Sequence, residues 1–218
     1  MAIETTDDTA TRWHGTEGDP VVVLAHDWNG RLPWIDALGA RLADEGFRVA
    51  VPDFYGGRST RDDGEAGQLL GERYADLPGA MHIVSETIGE ARALGSERAA
   101  VVGFSMGSTI ALGYAAESPS LDAIVAYYGA PFPGIAAGPR VPVLFQLAES
   151  DDWSGREAPE DYRARLAAEG YDDVQLHHYA GAIHGFHNAD VAKYSADASA
   201  AAWPVTVAFL RDHLGTAG

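Results

Sequence analysis

Ala99-Ala100-Val101-Val102-Gly103-Phe104-Ser105-Met106-Gly107 is the stretch that decides how this chain folds. Ala99 to Val102 are apolar and predict a strand, and Met106 to Ala116 predict a helix with Ala111, Leu112 and Ala115 available for packing. Between them stands G-x-S-x-G, in the strand–turn–helix setting that this pattern requires. A serine on so sharp a turn sits in strained backbone. The small residues two places before and two after it let the chain pass itself. Its hydroxyl is lifted to the carboxyl edge of the sheet, and the new helix points a partially positive N-terminus at the place where an oxyanion would develop. The phosphate-binding patterns G-x-G-x-x-G and G-x-x-x-x-G-K-[ST] are absent.

Outward from the elbow the chain alternates. Val21-Val22-Val23-Leu24-Ala25 is a continuous apolar run, as in a strand buried on both faces. A helix is expected from Trp34 to Gly46 and a strand over Arg48 to Val51. Residues 53–64 read as a loop. Further helices are expected over Ala80 to Leu94, Glu160 to Glu169 and Ala198 to Leu214, the last started or kinked by Pro204. Further strands are expected over Leu121 to Tyr128, Val141 to Leu147 and Val174 to Tyr179, with a Pro/Gly loop from Gly129 to Arg140. The alternation predicts an α/β fold, a mostly parallel sheet of six to seven strands flanked by helices. One domain over residues 1–218 is expected, with its core at about 20–214 and a loose lead-in over 1–19 that holds at most one short strand.

Composition narrows the function. Fifteen basic residues against 32 acidic ones give a net charge of −17, so nucleic acid and anionic membrane surfaces are not expected partners. With no cysteine there is no disulfide, thiolate metal site or thiol nucleophile. The first residues show no signal-peptide pattern and no apolar run reaches the ~20 residues of a membrane span, so a cytoplasmic protein is expected. Oligomeric state has no signature in the sequence.

An activated serine needs a base, and the base needs an orienting acid. Ala148-Glu149-Ser150-Asp151-Asp152-Trp153 follows one predicted strand, and Ala180-Gly181-Ala182-Ile183-His184-Gly185-Phe186 follows the next. Both loops leave strand carboxyl ends, on the rim that carries Ser105. The order Ser105, Asp151, His184 suits a triad. Asp152 and Glu149 are the alternatives for the acid. Among the other histidines, His177 and His178 fall within a strand, and His187 is expected to face solvent. Their spacing suits no zinc helix, so no metal is expected.

These residues also carry a resemblance. His26-Asp27-Trp28-Asn29-Gly30, Val51-Pro52-Asp53-Phe54-Tyr55-Gly56, the elbow, Tyr127-Tyr128-Gly129 and Tyr179 to Phe186 together resemble the dienelactone hydrolase family of the α/β-hydrolase fold, over roughly residues 20–214. The resemblance implies a serine-nucleophile variant, since the archetypal family nucleophile is cysteine. It implies Asp151 as triad acid and an oxyanion hole at the backbone N–H groups of Met106 and Trp28. Asp27 stands where the family has glutamate, and is expected to orient Ser105 or His184 or to be structural. Arg58 matches the first arginine of the family's substrate-carboxylate clamp. No arginine occurs over residues 185–192 to supply the second, so dienelactone itself is not the expected substrate. The family sheet has two strands before the one at Val21, and one or both are expected to be missing here.

The expected activity is hydrolysis of a small carboxylic ester or lactone through an acyl-enzyme, with no cofactor. Tyr55, Tyr128 and Trp153 are candidates to line the substrate site. The alternatives are a non-catalytic binding module on the same fold, or a thioesterase or other acyl hydrolase. Dehalogenation would want aspartate at the elbow, where Ser105 stands.

Overall fold

Val21–Ala25 shows why the sheet forms where it does: all five residues are fully buried. Val22 and Leu24 face one apolar layer, while Val21, Val23 and Ala25 face the other. A strand covered on both faces belongs in the interior of a parallel sheet. Burying one such Val or Leu side chain is worth about 1.5–3 kcal/mol. The structure, a computed structural model, describes residues 3–118, 120–131, 141–152 and 158–215.

In chain order the strands are β1 (Glu4–Thr5), β2 (Arg12–His14), β3 (Val21–Ala25), β4 (Arg48–Val51), β5 (Arg58–Ser59), β6 (Ala99–Phe104), β7 (Ala123–Tyr127), β8 (Val143–Ser150) and β9 (Val174–Ile183). The helices are α1 (Pro33–Ala43), α2 (Asp63–Ala75), α3 (Leu77–Ala93), α4 (Met106–Glu117), α5 (Pro159–Ala168) and α6 (Ala196–Leu214). Seven strands form the main sheet in the order β2-β4-β3-β6-β7-β8-β9. All neighbours run parallel except β2, which is antiparallel to β4. Helices α1 and α6 supply the apolar layer on one face; α2, α3, α4 and α5 supply the other.

The structure corrects several boundaries. The lead-in is not merely loose: β2 joins the main sheet, with Trp13 opposite Ala50, while β1 pairs with β5 in a separate two-stranded ribbon. Of the two strands that the family sheet has before Val21, one position is thus filled by β2 in the main sheet. Helix α2 was not foreseen. Gly64, Gly67 and Gly71 lower its propensity, and only Ala66, Leu69 and Leu70 are buried. It starts because the Asp62 carboxylate accepts hydrogen bonds from the amides of Gly64 and Glu65. Strand β9 runs past Tyr179 to Ile183, with a register irregularity between Ala148 and Ser150 on its partner β8. Helix α6 passes through Pro204 rather than starting there.

Because β3, β6, β7, β8 and β9 run in one direction, their carboxyl ends share a rim. Asp27 and Trp28 come two and three residues past β3. Ser105, Tyr128, Asp151 and His184 each come one residue past the end of β6, β7, β8 and β9. Residues scattered over more than 150 positions of sequence are thus gathered by strand direction alone.

Candidate active site

The elbow is built by close backbone approach. A Cβ on Gly107 would lie 2.0 Å from the carbonyl oxygen of Ala25, and one on Gly103 would lie 2.5 Å from the backbone of Gly107. No side chain fits at either place, so α4 can cross directly behind β3 and β6. Ser105 pays no such steric toll but takes φ 50° and ψ −107°, a left-handed conformation that an L-residue holds only when its surroundings fix it. Its amide donates to the carbonyl of Tyr127, and its carbonyl accepts from the amides of Ser108 and Thr109. The hydroxyl is thereby aimed off the rim, at the N-terminus of α4.

His184 meets it there. Ser105 Oγ and His184 Nε2 are 2.8 Å apart. On the other side of the ring, His184 Nδ1 lies 2.8 Å from Asp151 Oδ2 and 3.0 Å from Oδ1. A proton on Nδ1 donates to this carboxylate, which leaves Nε2 free to accept from the serine hydroxyl. Of the candidate acids it is Asp151 that reaches the imidazole. Glu149 instead accepts from the amide of Gly181, and Asp152 is exposed.

The other candidates divide. Trp28 and Asp27 line a small hollow with Ser105 and His184. Met106 is the first residue of α4 and is fully buried. Tyr128 packs its ring against the His184 imidazole, with centroids 5.2 Å apart. Tyr55 is brought elsewhere, into the core, with its hydroxyl on the Met106 sulfur at 3.1 Å. Arg58 donates to the carbonyl of Tyr55 and to Glu72, and lines a different hollow with Arg12 and Arg31. Trp153 lies outside the described residues. His187 does not face solvent as expected. It is buried, stacked on Phe104 with centroids 5.6 Å apart, and burial pushes its pKa down to about 4. His178 pairs with Glu160 at 3.0 Å. Among the described residues no three histidine or carboxylate side chains gather as metal ligands.

Asp27 is fixed by a network that the sequence did not announce. Its Oδ1 accepts from the Asn29 amide at 3.0 Å, and its Oδ2 accepts from Asn188 Nδ2 at 2.8 Å. Asn188 Oδ1 in turn accepts from the amide of Asp190, whose carboxylate caps the amide of Trp34. The segment after His184 is so tied to the segment after β3. His26 completes the anchoring: its Nε2 accepts from the Phe54 amide, so its Nδ1 proton goes to the Asp27 carbonyl at 2.7 Å. Lys193, the chain's single lysine, also lines the hollow. Its Nζ is 3.0 Å from Asp63 and 5.0 Å from the centre of the Trp28 ring. The only sequence signal for Lys193 was its being the one lysine among fourteen arginines.

Burial raises the Asp27 carboxyl to about 6, against the hydrogen bonds that hold its anion. A carboxyl raised in the folded protein favours folding while it is protonated. That contribution is complete below the unfolded value near 4 and is lost as pH rises through about 6. The Asp27→Asn variant carries no such dependence. Its stability relative to the parent is expected to rise by roughly 2 kcal/mol between pH 4 and pH 7, measured by urea unfolding at fixed pH.

Comparison with known proteins identifies the family. The dienelactone hydrolase family pattern matches residues 10–214. This chain belongs to that family. Two relatives share 31% identity with it: the protein usf of Aquifex pyrophilus, over 90% of each chain, and an Aquifex aeolicus protein that carries the provisional name carboxymethylenebutenolidase, over 93% of this chain and 90% of its own. Among solved structures, a dienelactone hydrolase-like promiscuous phosphotriesterase from metagenomic libraries superposes with a TM-score of 0.81 at 20% identity, over 98% of this chain and 99% of its own. The fold is the α/β-hydrolase fold. As a dienelactone hydrolase family member, the protein is a carboxylic ester or lactone hydrolase. No helix among the described residues is long and apolar enough to cross a membrane.

Proposed function

We propose that this hydrolase, on a single domain, cleaves small carboxylic esters or lactones through a Ser105–His184–Asp151 triad and a covalent acyl-enzyme. The observation that carries the reading is the unbroken chain of contacts from Ser105 Oγ through both imidazole nitrogens to the Asp151 carboxylate.

His184 Nε2 takes the Ser105 proton as Oγ attacks the carbonyl carbon. Asp151 keeps the ring in the required tautomer and balances the imidazolium that forms. The negative charge moves to the former carbonyl oxygen, where the backbone N–H groups of Met106 and Trp28 receive it, with the positive end of α4 behind them. The imidazolium then protonates the departing alkoxide, and the ester C–O bond breaks. Water, deprotonated by His184, attacks the acyl-serine; collapse releases the carboxylic acid and returns the proton to Oγ. For a lactone the alcohol and the acid leave as one molecule.

Among the described residues no arginine lines the hollow at Ser105. Arg58 is engaged by Glu72, so the substrate class is the ester or lactone group itself rather than a dienelactone carboxylate. The test is intact-mass analysis after exposure to a fluorophosphonate probe, with peptide mapping. One adduct on Ser105, absent in His184→Ala, is the expected result. A protein that stays unmodified under native conditions would instead be a binding module built on a hydrolase fold.

A further inference from the structure

We infer that Tyr128 sets the size of the substrate accepted at Ser105, acting as a partition between two compartments of the rim. The inference rests on Ser105 being the nucleophile.

Two hollows open beside the triad. One, of about 10 Å³, is lined by Ser105, His184, Asp27, Trp28 and Lys193. That is room for little more than one water molecule. The other, of about 310 Å³, is lined by Ala130, Leu147, Ala148, Glu149 and Glu160, with Asp151 at its edge. That volume lies at the lower end of the range for small-molecule sites. Among the described residues lining the two, Tyr128 alone is common to both. The space at the serine is closed down to about the size of a water molecule, and the larger space lies on the other side of the tyrosine.

The backbone holds this ring in place against its own preference. Tyr128 has φ 36°, and with Ser105 it is one of two non-glycine residues at positive φ among the described residues. Such a conformation costs a bulky residue about 1–3 kcal/mol, so strain falls on the nucleophile and on the partition together. Tyr128 N donates to the Gln146 carbonyl at 2.9 Å, which locks the turn after β7 to β8. The ring is buried edge-on between the His184 imidazole and Phe186, with both centroids 5.2 Å away. It cannot swing aside without moving the catalytic base. Its hydroxyl is buried beside the backbone of His187, so the partition is assigned to the ring and not to the oxygen.

The test compares straight-chain p-nitrophenyl esters, from acetate to octanoate, on the parent protein, Tyr128→Phe, Tyr128→Leu and Tyr128→Ala. Competent serines are counted in each by fluorophosphonate titration, and kcat/KM is expressed per titrated site. The octanoate-to-acetate ratio is expected to rise about tenfold or more in Tyr128→Ala, in line with what a few methylenes of pocket contact are worth. It is expected to rise in the same direction in Tyr128→Leu and to hold at the parent value in Tyr128→Phe. A smaller rise in Tyr128→Ala overturns the inference; should that variant not fold, an unchanged ratio in Tyr128→Leu does so. A changed ratio in Tyr128→Phe also overturns it, because the hydroxyl would then be the determinant. A parent protein with no titratable serine defeats the nucleophile assignment first, and the inference with it.

Discussion

Ser105→Ala is expected to lower kcat by about 10⁴-fold or more, with KM little changed, measured on a short-chain aryl ester. Removing Oγ removes the covalent route entirely, and His184 is left with only water to activate. Binding is spared because the substrate's contacts with the hollow walls do not depend on the hydroxyl. The substitution is also structurally mild. Ser105 is buried, and its backbone rather than its side chain makes the contacts that hold the turn, through Tyr127, Ser108 and Thr109. Alanine at φ 50° carries a strain similar to that of serine, so a folded and nearly inactive protein is the expected outcome. Near-parental activity in Ser105→Ala would remove the acyl-enzyme mechanism.

The second large effect separates two neighbouring acids. Asp151→Asn is expected to reduce kcat by about 10³- to 10⁴-fold, because an amide cannot balance the imidazolium and stabilises the wrong tautomer of His184. Asp152→Asn is expected to stay close to the parent, since Asp152 is exposed while Asp151 holds Nδ1 with both oxygens. The pair of pH–rate profiles is the decisive measurement. The acid limb should be lost or displaced in Asp151→Asn and preserved in Asp152→Asn. A reversed pattern would assign the orienting role to Asp152.

What was legible in the sequence was whatever is enforced over a few residues. G-x-S-x-G announces itself because Gly103 and Gly107 are sterically required, a constraint that spans one turn of chain. The parallel sheet was legible because strands buried on both faces need unbroken apolar runs. Asp151 and His184 could be placed because strand direction fixes which loops share a rim. The choice between Asp151 and Asp152 could not be made, because it depends on which carboxylate reaches one nitrogen across two strands. Strand β9 was cut short because Ala180-Gly181-Ala182 has little strand propensity; it continues because β8 pairs with it as far as Ser150. His187 misled because its position beside His184 says nothing of the aromatic layer that encloses it. Asn188 and Lys193 gave no pattern at all. Asp27 and Asp63, which Asn188 and Lys193 reach, lie more than a hundred residues away and meet them only once the sheet is assembled.

The placement of Asp27, Ser105, Tyr128, Asp151 and His184 within one or two residues of a strand end has a consequence for how this protein can change. Each group of the proposed site is mounted on a stiff support by the shortest possible arm, and the longer excursions of chain between strands carry none of them. Exchange of an excursion such as residues 53–80 alters the walls around the reaction and leaves the reaction's own coordinates in place. Apart from the ring of Tyr128, bond-breaking ability and taste for a particular molecule are therefore separately heritable traits in this architecture. A lineage, or an engineer, can rewrite the second many times over while passing the first on intact.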